Sequence, residues 1–510
     1  MTYFLALVSG ALLALSFPRY GHPAFGWIAL VPLLLAVSGW TGHSGRLRGR
    51  PPLRAFSLGL LSGVVYFVGT VYWTGTVIAT FGEVPTPIAM FAMLLLAAYL
   101  AIYPAVTALV ISHLVARMGA RALFLAPAAW VATEYLRGSL FSGFPWVPLG
   151  NSQVTVLPVA QLASVLGVYG LSLLVAFVNA GIAYALVSTG RNRIVASASI
   201  ALVLVGVGGW GALRIRDGAL LREGTPVRVG LVQGNISQQD KWKSGEARRI
   251  FTTYVAMTRD VVRRGAQYVI WPESSTPFMF EEDAIGGAGL RNLAQEVRVP
   301  LLFGSDQIER GEDPKMFNAA FLVAPDGQTA AVYRKMHLVP FGEFIPLKRW
   351  LYFVSPLVES LADFAPGTAV VTLPVSGHLS STAICYEVVY PGLIRDAVLE
   401  GSELLTTITN DAWYGNSSAP YQHFALASMR AIEQGRYLAR AANTGISGVV
   451  DPYGRVVNAS RTFEQIGMVE EARFITSRTV YSRIGDVAAY ASLLVTVLAL
   501  SVAKMGSGVI

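Results

Sequence analysis

Long apolar runs separated by short basic loops fill about the first 213 residues of this 510-residue chain. Only 14% of all residues are charged, whereas about a quarter are charged in a soluble globular protein. A membrane-spanning helix needs about 20 apolar residues, and several of the runs approach or exceed that length. The sequence therefore predicts a polytopic membrane protein with one large extramembrane domain.

Seven spans are predicted before the extramembrane domain and an eighth after it. They lie at about residues 3–17, 24–40, 55–80, 88–115, 121–137, 163–188, 193–212 and 486–502. The first two are short for a span, which favours a hairpin or a tilted arrangement. The chain is thus divided into residues 1–213 with helices one to seven, a domain at 220–480, and a last helix at 484–504.

Arginines in the short loops indicate the orientation of the chain. They cluster after the second, fourth and sixth predicted spans, and basic loops stay on the cytoplasmic side. Both chain ends are therefore expected in the cytoplasm, and the 220–480 domain on the exterior or periplasmic face. Arg214, Arg216 and Arg222 lie on the opposite side from this rule, which a large translocated domain tolerates.

The extramembrane domain alternates predicted strands with predicted helices, and hairpins are interspersed among them. This pattern predicts stacked sheets flanked by helices. Strands are predicted at 227–233, 268–271, 300–305, 318–324, 331–334, 379–384, 404–408, 437–442 and 446–450, and helices at about 244–264, 283–297, 420–435 and after Pro391.

Three of these strand ends carry residues that can do chemistry together, namely Glu273, Lys335 and Cys385. Cys385 is the only cysteine and sits on a predicted strand-to-helix turn, where a nucleophile is held exposed. Taken singly, each residue also has an ordinary explanation: a buried structural thiol, a solvated loop glutamate and a surface lysine. Spacing in the sequence does not by itself bring the three together.

The chemistry available to these three side chains is nucleophilic catalysis. A thiol is a weak nucleophile at neutral pH until a base takes its proton, and Glu273 is a suitable base. The Lys335 ammonium can favour the thiolate and then stabilise an oxyanion. None of the six histidines favours a Cys–His pair, because His337 follows Lys335 too closely to face the same way along a strand.

Neither a metal nor a nucleic acid is expected as a partner. The chain has one cysteine and no closely spaced histidines, and it lacks a glycine-rich phosphate loop. The net charge of +8 resides largely in loops beside apolar segments, where positive residues act as topology signals.

Two membrane-associated features and one domain segment have further expected roles. Glu134 and Arg137 are one helical turn apart in the fifth predicted span, so a structural ion pair is favoured over a functional one. The loop at 142–153 is expected to face outward, with Trp146 at the membrane interface beside a lipid access site. The apolar segment 344–366 is interpreted either as a flap that touches lipid or as a core insertion, and the sequence leaves both open.

Short motifs around the three strand-end residues resemble the Glu–Lys–Cys triad of the nitrilase superfamily. They are Trp-Pro-Glu273, Tyr-Arg-Lys335-Met-His and Ile-Cys385-Tyr-Glu387. Within that superfamily the whole chain resembles the membrane-embedded apolipoprotein N-acyltransferase family. The likeness extends to residues 143–146, 232–235, 241–242, 339–343 and 409–413, and to the apolar first half.

The resemblance implies an αββα sandwich on an eight-span base and a ping-pong acyl transfer without a cofactor or metal. Cys385 would take an acyl chain from a phospholipid, typically phosphatidylethanolamine. The resulting thioester would acylate the α-amino group of the N-terminal diacylglyceryl-cysteine of a lipoprotein. By this likeness the chain is a monomer of the bacterial inner membrane, with its catalytic domain in the periplasm.

The same resemblance implies a role for each site residue. Glu273 would be the general base, and Lys335 would stabilise the oxyanion together with the Tyr386 backbone N–H. Glu343 would orient the lysine. The residues expected to line or support the site are Tyr386, Glu387, Trp242 and Trp146.

Two other functions fit parts of the sequence. One is a membrane-anchored amidase of the nitrilase type that hydrolyses its thioester, although an anchor needs one span rather than eight. The other is a transporter with an appended sensor domain, although no internal repeat is visible. Covalent labelling of Cys385 with a phospholipid donor distinguishes the three.

Overall fold

The computed structural model describes residues 1–42, 47–82, 84–241, 243, 245–344 and 363–505. Helices form almost all of the regular structure before residue 223. They are α1 (Thr2–Ala14), α2 (Val31–Ser38), α3 (Pro52–Val71), α4 (Trp73–Phe81), α5 (Thr86–Met118), α6 (Ala126–Ser139), α7 (Leu157–Ala160), α8 (Ala163–Val187), α9 (Gly190–Asp217) and α10 (Ala219–Arg222).

The predicted helical membrane region is confirmed, but the predicted count of eight spans is not. In the part of the chain that the structure describes, five helical stretches are long and apolar enough to cross a membrane. They are Pro52–Val71, Thr86–Ser142, Ala163–Val187, Gly190–Arg222 and Val487–Met505, and shorter apolar helices occupy Thr2–Ala14 and Pro23–Ser38.

Breaks in the helices explain why apolar runs and helices do not match one to one. The second predicted span begins with a 3-10 turn at Pro23–Trp27, which leaves only eight residues in α2. The third is divided at Tyr72 into α3 and α4. An apolar run indicates an apolar environment, but it does not indicate where a helix ends or the backbone changes direction.

Two six-stranded sheets form the α/β domain that follows the helical half. Their strands are β1 (Thr225–Gln233), β2 (Tyr268–Ile270), β3 (Leu301–Glu309), β4 (Lys315–Val323), β5 (Thr329–Arg334), β6 (Leu373–Val375), β7 (His378–Ile384), β8 (Leu404–Thr409), β9 (Leu438–Ala442), β10 (Gly448–Val450), β11 (Val456–Ala459) and β12 (Ile466–Phe474). The first sheet has the order β12-β1-β2-β3-β4-β5, and the second has the order β11-β10-β9-β8-β7-β6.

Helices cover the outer face of each sheet. The remaining helices are α11 (Gln238–Lys241), α12 (Ala247–Arg263), α13 (Ala284–Val297), α14 (Pro391–Leu399), α15 (Ala419–Gln434), α16 (Val480–Ile484) and α17 (Val487–Met505). One apolar core lies between the sheets and includes Ile270, Leu302 and Ile408. A second core joins α12 and α13 to the first sheet, and a third joins α14 and α15 to the other. The predicted αββα sandwich is therefore confirmed.

Strand direction brings the ends of several strands to neighbouring positions. β1, β2 and β3 are parallel, and so are β7, β8 and β9. β5 runs in the same direction as β3, because each is antiparallel to β4. The residues that follow β2, β5, β7 and β8 therefore emerge at the carboxyl ends of their strands, where α/β folds place their sites.

Three strands were missed by the sequence analysis: β6, β11 and β12. β12 pairs with β1 over nine residues, from Thr225 opposite Phe474 to Gln233 opposite Ile466. It forms an edge of its sheet, and its charged residues Glu470, Glu471 and Arg473 interrupt the apolar run by which buried strands are predicted. All four residues of β11, at the edge of the other sheet, are exposed.

The two halves of the molecule are joined by buried hydrogen bonds. Side chains and backbone of the segment 144–168, which includes α7 and the start of α8, contact α15 and the turn that follows β10. The bonds are Trp146 Nε1 to Gln422 Oε1 at 2.7 Å, Gln161 Nε2 to the Tyr453 carbonyl at 2.9 Å, and Val168 N to Glu433 Oε1 at 2.8 Å. The domain is thus seated on the helical half rather than tethered to it by a linker.

The core between the sheets predicts the effect of a cavity mutation. Ile408 on β8 is fully buried there, so Ile408→Ala is expected to lower the free energy of unfolding by about 2–5 kcal/mol. Val456→Ala is the matched control, because Val456 is 48% exposed on β11. Thermal unfolding of the purified protein in detergent checks this, and equal midpoints for the two variants would contradict the assigned core.

Candidate active site

The structure brings Glu273 and Lys335 together at the strand ends. Lys335 follows β5, and its Nζ lies 3.3 Å from Glu273 Oε1 and 2.9 Å from Glu343 Oε1. The lysine is only 1% exposed, so its charge is almost completely removed from water. Such a cation is stable only with close anionic partners, and two carboxylates supply them.

Glu273 is held in place by two further donors. The Asn318 amide donates to its Oε1, and the Asn410 backbone N–H donates to its Oε2, each at 2.8 Å. Burial alone would raise the pKa of Glu273, but the Lys335 ammonium and these hydrogen bonds hold the pKa below its ordinary value. The side chain is therefore an ionised carboxylate at neutral pH and is able to accept a proton.

Lys335 remains an ammonium for the complementary reason. Burial acts to lower its pKa, but the charges of Glu343 and Glu273 raise the pKa above its ordinary value. Glu343 is anchored in turn, because its Oε1 accepts from the Asn318 amide and its Oε2 accepts from the Val339 N–H, each at 2.8 Å. The lysine is thus fixed between two positioned carboxylates.

Cys385 begins the turn that follows β7. Its φ is +53°, in the left-handed region that side-chain-bearing residues seldom adopt, and its thiol is buried. Burial raises the pKa of the Cys385 thiol, the Glu273 carboxylate raises it further, and the Lys335 ammonium lowers it. Both charged residues therefore act on the sulfur.

The balance of these effects determines whether the sulfur is protonated. The lysine favours the thiolate, but burial and the carboxylate outweigh it and keep the pKa of Cys385 above its ordinary value, so the resting side chain is a thiol. The proton must then leave as the sulfur attacks. The ionised Glu273 is a suitable acceptor for it.

Glu387 links the lysine strand to the cysteine turn. It is fully buried, and its two oxygens accept four hydrogen bonds. The donors are the Tyr333 hydroxyl at 2.8 Å, Met336 N at 2.6 Å, His337 N at 3.1 Å and Ile384 N at 2.7 Å. Burial raises the pKa of Glu387 to about 7, although these hydrogen bonds oppose the rise. Its contacts set the spacing between Lys335 and Cys385.

Tyr386 and Trp146 belong to one aromatic cluster beside the nucleophile. Their rings are stacked with centroids 6.3 Å apart, and the Trp146 ring is also 5.2 Å from that of Trp73 on α4. Trp146 was expected at the membrane interface, but it is fully buried between the two halves. The cluster therefore connects the cysteine turn to the helical half.

Glu134 and Arg137 do not form the expected ion pair. Arg137 Nη1 donates to the carbonyls of Phe144 and Trp146, each at 2.7 Å. Glu134 Oε1 accepts from the Leu149 N–H at 2.7 Å. Both side chains instead anchor the loop that carries Trp146.

Other residues expected at the site stand as follows. Trp242 and most of the 344–366 segment lie outside the described residues, so the flap and Trp242 stay predictions. Asn318 and Asn410 were not foreseen as partners of Glu273. The signal for Asn318 was one amide inside the otherwise apolar run 316–323, but a buried amide has many possible partners.

Within the described ranges, no group of three or more His, Cys, Asp or Glu side chains is arranged to hold a metal ion.

The hydrogen bond from Asn318 predicts a shift in pH dependence. Asn318→Leu removes a bond that lowers the pKa of Glu273, so the pKa should rise. Since Glu273 accepts a proton only when ionised, the loss of Cys385 reactivity on acidification should then occur at a higher pH. The rate of Cys385 alkylation by iodoacetamide, measured against pH, reports this.

Asn458→Leu is the control for that experiment, because the Asn458 amide bonds the exposed Glu470 far from the site. Identical pH profiles for the two variants would contradict the role assigned to Asn318.

Comparisons with known proteins identify the family of the chain. The family model "Apolipoprotein N-acyltransferase N-terminal domain" matches residues 9–181, and the model "Carbon-nitrogen hydrolase" matches residues 228–472. An apolipoprotein N-acyltransferase of Geobacter metallireducens is 37% identical, over 96% of this chain and 92% of that protein. One from Methylococcus capsulatus is 35% identical, over 94% of this chain and 92% of that protein.

Among solved structures, a Nesterenkonia amidase of the nitrilase superfamily is 21% identical with a TM-score of 0.38, covering 48% of this chain and 90% of that one. The identity and coverage of the full-length relatives, together with the two family models, lead to one conclusion. The chain belongs to the apolipoprotein N-acyltransferase family.

Proposed function

We propose that this protein is an N-acyltransferase that completes the maturation of lipoproteins. It moves a fatty acyl chain from a membrane phospholipid, through a Cys385 thioester, to the α-amino group of an N-terminal diacylglyceryl-cysteine. The observation that carries the proposal is the buried contact of Lys335 Nζ with Glu273 Oε1, at 3.3 Å, and with Glu343 Oε1, at 2.9 Å, together with the buried Cys385 whose pKa the charges of Glu273 and Lys335 affect. This arrangement lies in a chain with several apolar helices.

The first half-reaction transfers the acyl group to sulfur. The thiol proton passes to Glu273 as the sulfur attacks the ester carbonyl, and a C–S bond forms. The Lys335 ammonium and the Tyr386 N–H stabilise the oxyanion of the tetrahedral intermediate. The C–O ester bond then breaks, and the Glu273 proton goes to the departing lysophospholipid oxygen.

The second half-reaction transfers the acyl group to nitrogen. The neutral α-amine of the acceptor attacks the thioester carbonyl, Glu273 takes a proton from the amine, and a C–N bond forms. The C–S bond breaks, and the sulfur regains a proton from Glu273. The amide product is released and the resting thiol is regenerated, and neither step needs an external reductant, oxidant or cofactor.

Water must be kept from the thioester between the two half-reactions, since hydrolysis would release the acyl group as a free fatty acid. Burial of the three reactive side chains and the Trp146 cluster against the cysteine turn support such exclusion. Tyr386 and Glu387 support the site in this proposal, and Trp242 is proposed to line it.

The proposal extends to the donor, the location and the assembly. Phosphatidylethanolamine is the proposed donor, and the monomer is the proposed unit. The arginine-rich loops support a cytoplasmic side for both chain ends, which would put the 220–480 domain in the periplasm above the inner membrane. Residues 1–213 and 484–504 are then the proposed membrane-embedded parts.

Mass spectrometry of the intact protein tests the first half-reaction. With phosphatidylethanolamine of defined chains, the wild type is expected to gain one acyl mass on the peptide that contains Cys385. Cys385→Ala should gain none while remaining folded and inserted, because no nucleophile is left. Acyl mass on Cys385→Ala would refute the assignment.

Lys335→Met tests the role of the ammonium in the same assay. Loss of the oxyanion partner is expected to reduce acylation by roughly 100-fold or more while phospholipid still binds. Lys243→Met is the matched control, because Lys243 is an exposed lysine paired with Asp240. Equal loss of binding and acylation in Lys335→Met would indicate a structural lysine.

The same assay distinguishes the alternative functions. An adduct released only as free fatty acid would favour the amidase, and no adduct in any variant would favour the transporter.

A further inference from the structure

A buried polar cluster lies behind the nucleophile and is separate from the three reactive side chains. Asp411, His423 and Arg440 come from the turn after β8, from α15 and from β9, and all three are fully buried. His423 Nε2 lies 3.1 Å from the Cys385 carbonyl oxygen. The cluster therefore contacts the backbone of the nucleophile rather than its sulfur.

The neighbours of His423 determine which ring nitrogen carries its proton. The Arg440 guanidinium can only donate, and its Nη2 lies 3.0 Å from His423 Nδ1 and 2.9 Å from Asp411 Oδ2. The Cys385 carbonyl can only accept. Burial and the Arg440 charge lower the pKa of His423, which keeps the ring neutral. With its proton on Nε2, a neutral ring donates to the Cys385 carbonyl and accepts from Arg440. A proton on Nδ1 would satisfy only the Asp411 carboxylate and would face the Arg440 donor.

Asp411 completes the arrangement. Its Oδ1 lies 3.1 Å from His423 Nδ1 and accepts from the Thr409 hydroxyl at 2.8 Å. Arg440 Nη2 donates to both Asp411 Oδ2 and His423 Nδ1. Its positive charge therefore offsets the repulsion between the carboxylate and the lone pair of the ring nitrogen. The imidazole is thus held at one edge by a cation–anion pair, and its other edge donates to Cys385.

The Cys385 carbonyl and the Tyr386 N–H belong to the same peptide unit. In a planar trans peptide these two groups point in opposite directions. A donor fixed behind the carbonyl therefore fixes the direction of the N–H on the other side. Hydrogen bonding to the carbonyl also polarises the peptide and strengthens the N–H as a donor. The positive φ of Cys385 makes such an external restraint valuable, since the conformation is intrinsically unfavourable.

We propose that His423 is a positioning residue for the oxyanion site. Its Nε2–H bond to the Cys385 carbonyl aims the Tyr386 N–H at the tetrahedral intermediate, and Arg440 and Asp411 hold the imidazole in the required tautomer. This inference rests on the proposed function, in which that N–H stabilises the oxyanion.

Two substitutions of similar size and polarity separate this role from simple packing. In His423→Gln the side-chain amide nitrogen reaches about the position of Nε2, so the donor to Cys385 is kept. In His423→Asn the amide reaches only about the position of Nδ1, so that donor is lost. Each variant is tested in two reactions of Cys385: acylation by phosphatidylethanolamine, which passes through an oxyanion, and alkylation by iodoacetamide, which does not.

His423→Asn is expected to slow acylation by roughly 10- to 100-fold, while alkylation stays nearly unchanged. This is less than the roughly 100- to 1,000-fold effect of deleting an oxyanion donor, because the Tyr386 N–H remains and only its direction is less restrained. His423→Gln is expected to recover most of the acylation rate. A parallel fall in both reactions, equal losses in both variants, or unchanged acylation in His423→Asn would overturn the proposal.

Arg440→Lys provides a second test if His423→Asn does not fold. It keeps the imidazole and a cation but displaces the group that donates to His423 Nδ1, so acylation should again fall more than alkylation. A parallel change would overturn the inference. Absence of any acyl adduct on wild-type Cys385 would instead refute the proposed function itself, so the two failures are distinguishable.

Discussion

A buried ammonium shared between two carboxylates is the interaction on which the site depends. Lys335 is nearly inaccessible to water, yet Glu273 and Glu343 both lie within hydrogen-bond distance of its Nζ. Breaking a buried ion pair by removing one partner typically destabilises a protein by about 3–5 kcal/mol, because an uncompensated charge remains. The position of the base, and hence its distance from the sulfur, follows from this shared cation. The amide of Asn318, which bonds both carboxylates, reinforces it.

The same electrostatics determine when the nucleophile is reactive. Glu273 is ionised while Cys385 is protonated, so proton transfer to the carboxylate is unfavourable in the empty site. In the proposed mechanism it becomes favourable as the developing oxyanion gains Lys335 and the turn N–H as partners. A thiol that is not a thiolate at rest reacts slowly with oxidants and stray electrophiles, which protects the one cysteine of the chain between turnovers.

The sheets and the helical half place these groups together. Parallel strands deliver Glu273 and Cys385 to the carboxyl ends of β2 and β7, and Glu387 fixes the cysteine turn against the end of β5. Trp146, from the helical half, then packs on Tyr386. The Arg137 side chain holds Trp146 in place by donating to its backbone carbonyl. The catalytic edge of the domain is therefore assembled against the helices that would contact lipid.

Sequence patterns predicted the parts of this arrangement that depend on local periodicity. The strand before Glu273 was predicted from its buried apolar residues, and the strand before Lys335 was predicted from the hairpin turn at 325–327. β12 was missed because two glutamates and an arginine interrupt its apolar residues. The spacing of Glu134 and Arg137 predicted a pair within one helix, but backbone carbonyls of the loop that directly follows this helix bind the arginine instead. The partners of His423 and Asn318 come from several strands and turns, so no local pattern could identify them. The resting state of the thiol depends on burial, which the sequence does not fix.

A chase of a preformed acyl-enzyme distinguishes acyl transfer from hydrolysis. The protein is first acylated with phosphatidylethanolamine carrying one labelled acyl chain, the donor is removed, and a peptide with a free N-terminal diacylglyceryl-cysteine is added. We expect the label to leave Cys385 and to appear on the α-nitrogen of the peptide in equal amount, and an N-acetylated peptide should receive none. Label that stays on Cys385, or that becomes free fatty acid at the same rate with and without peptide, would contradict it.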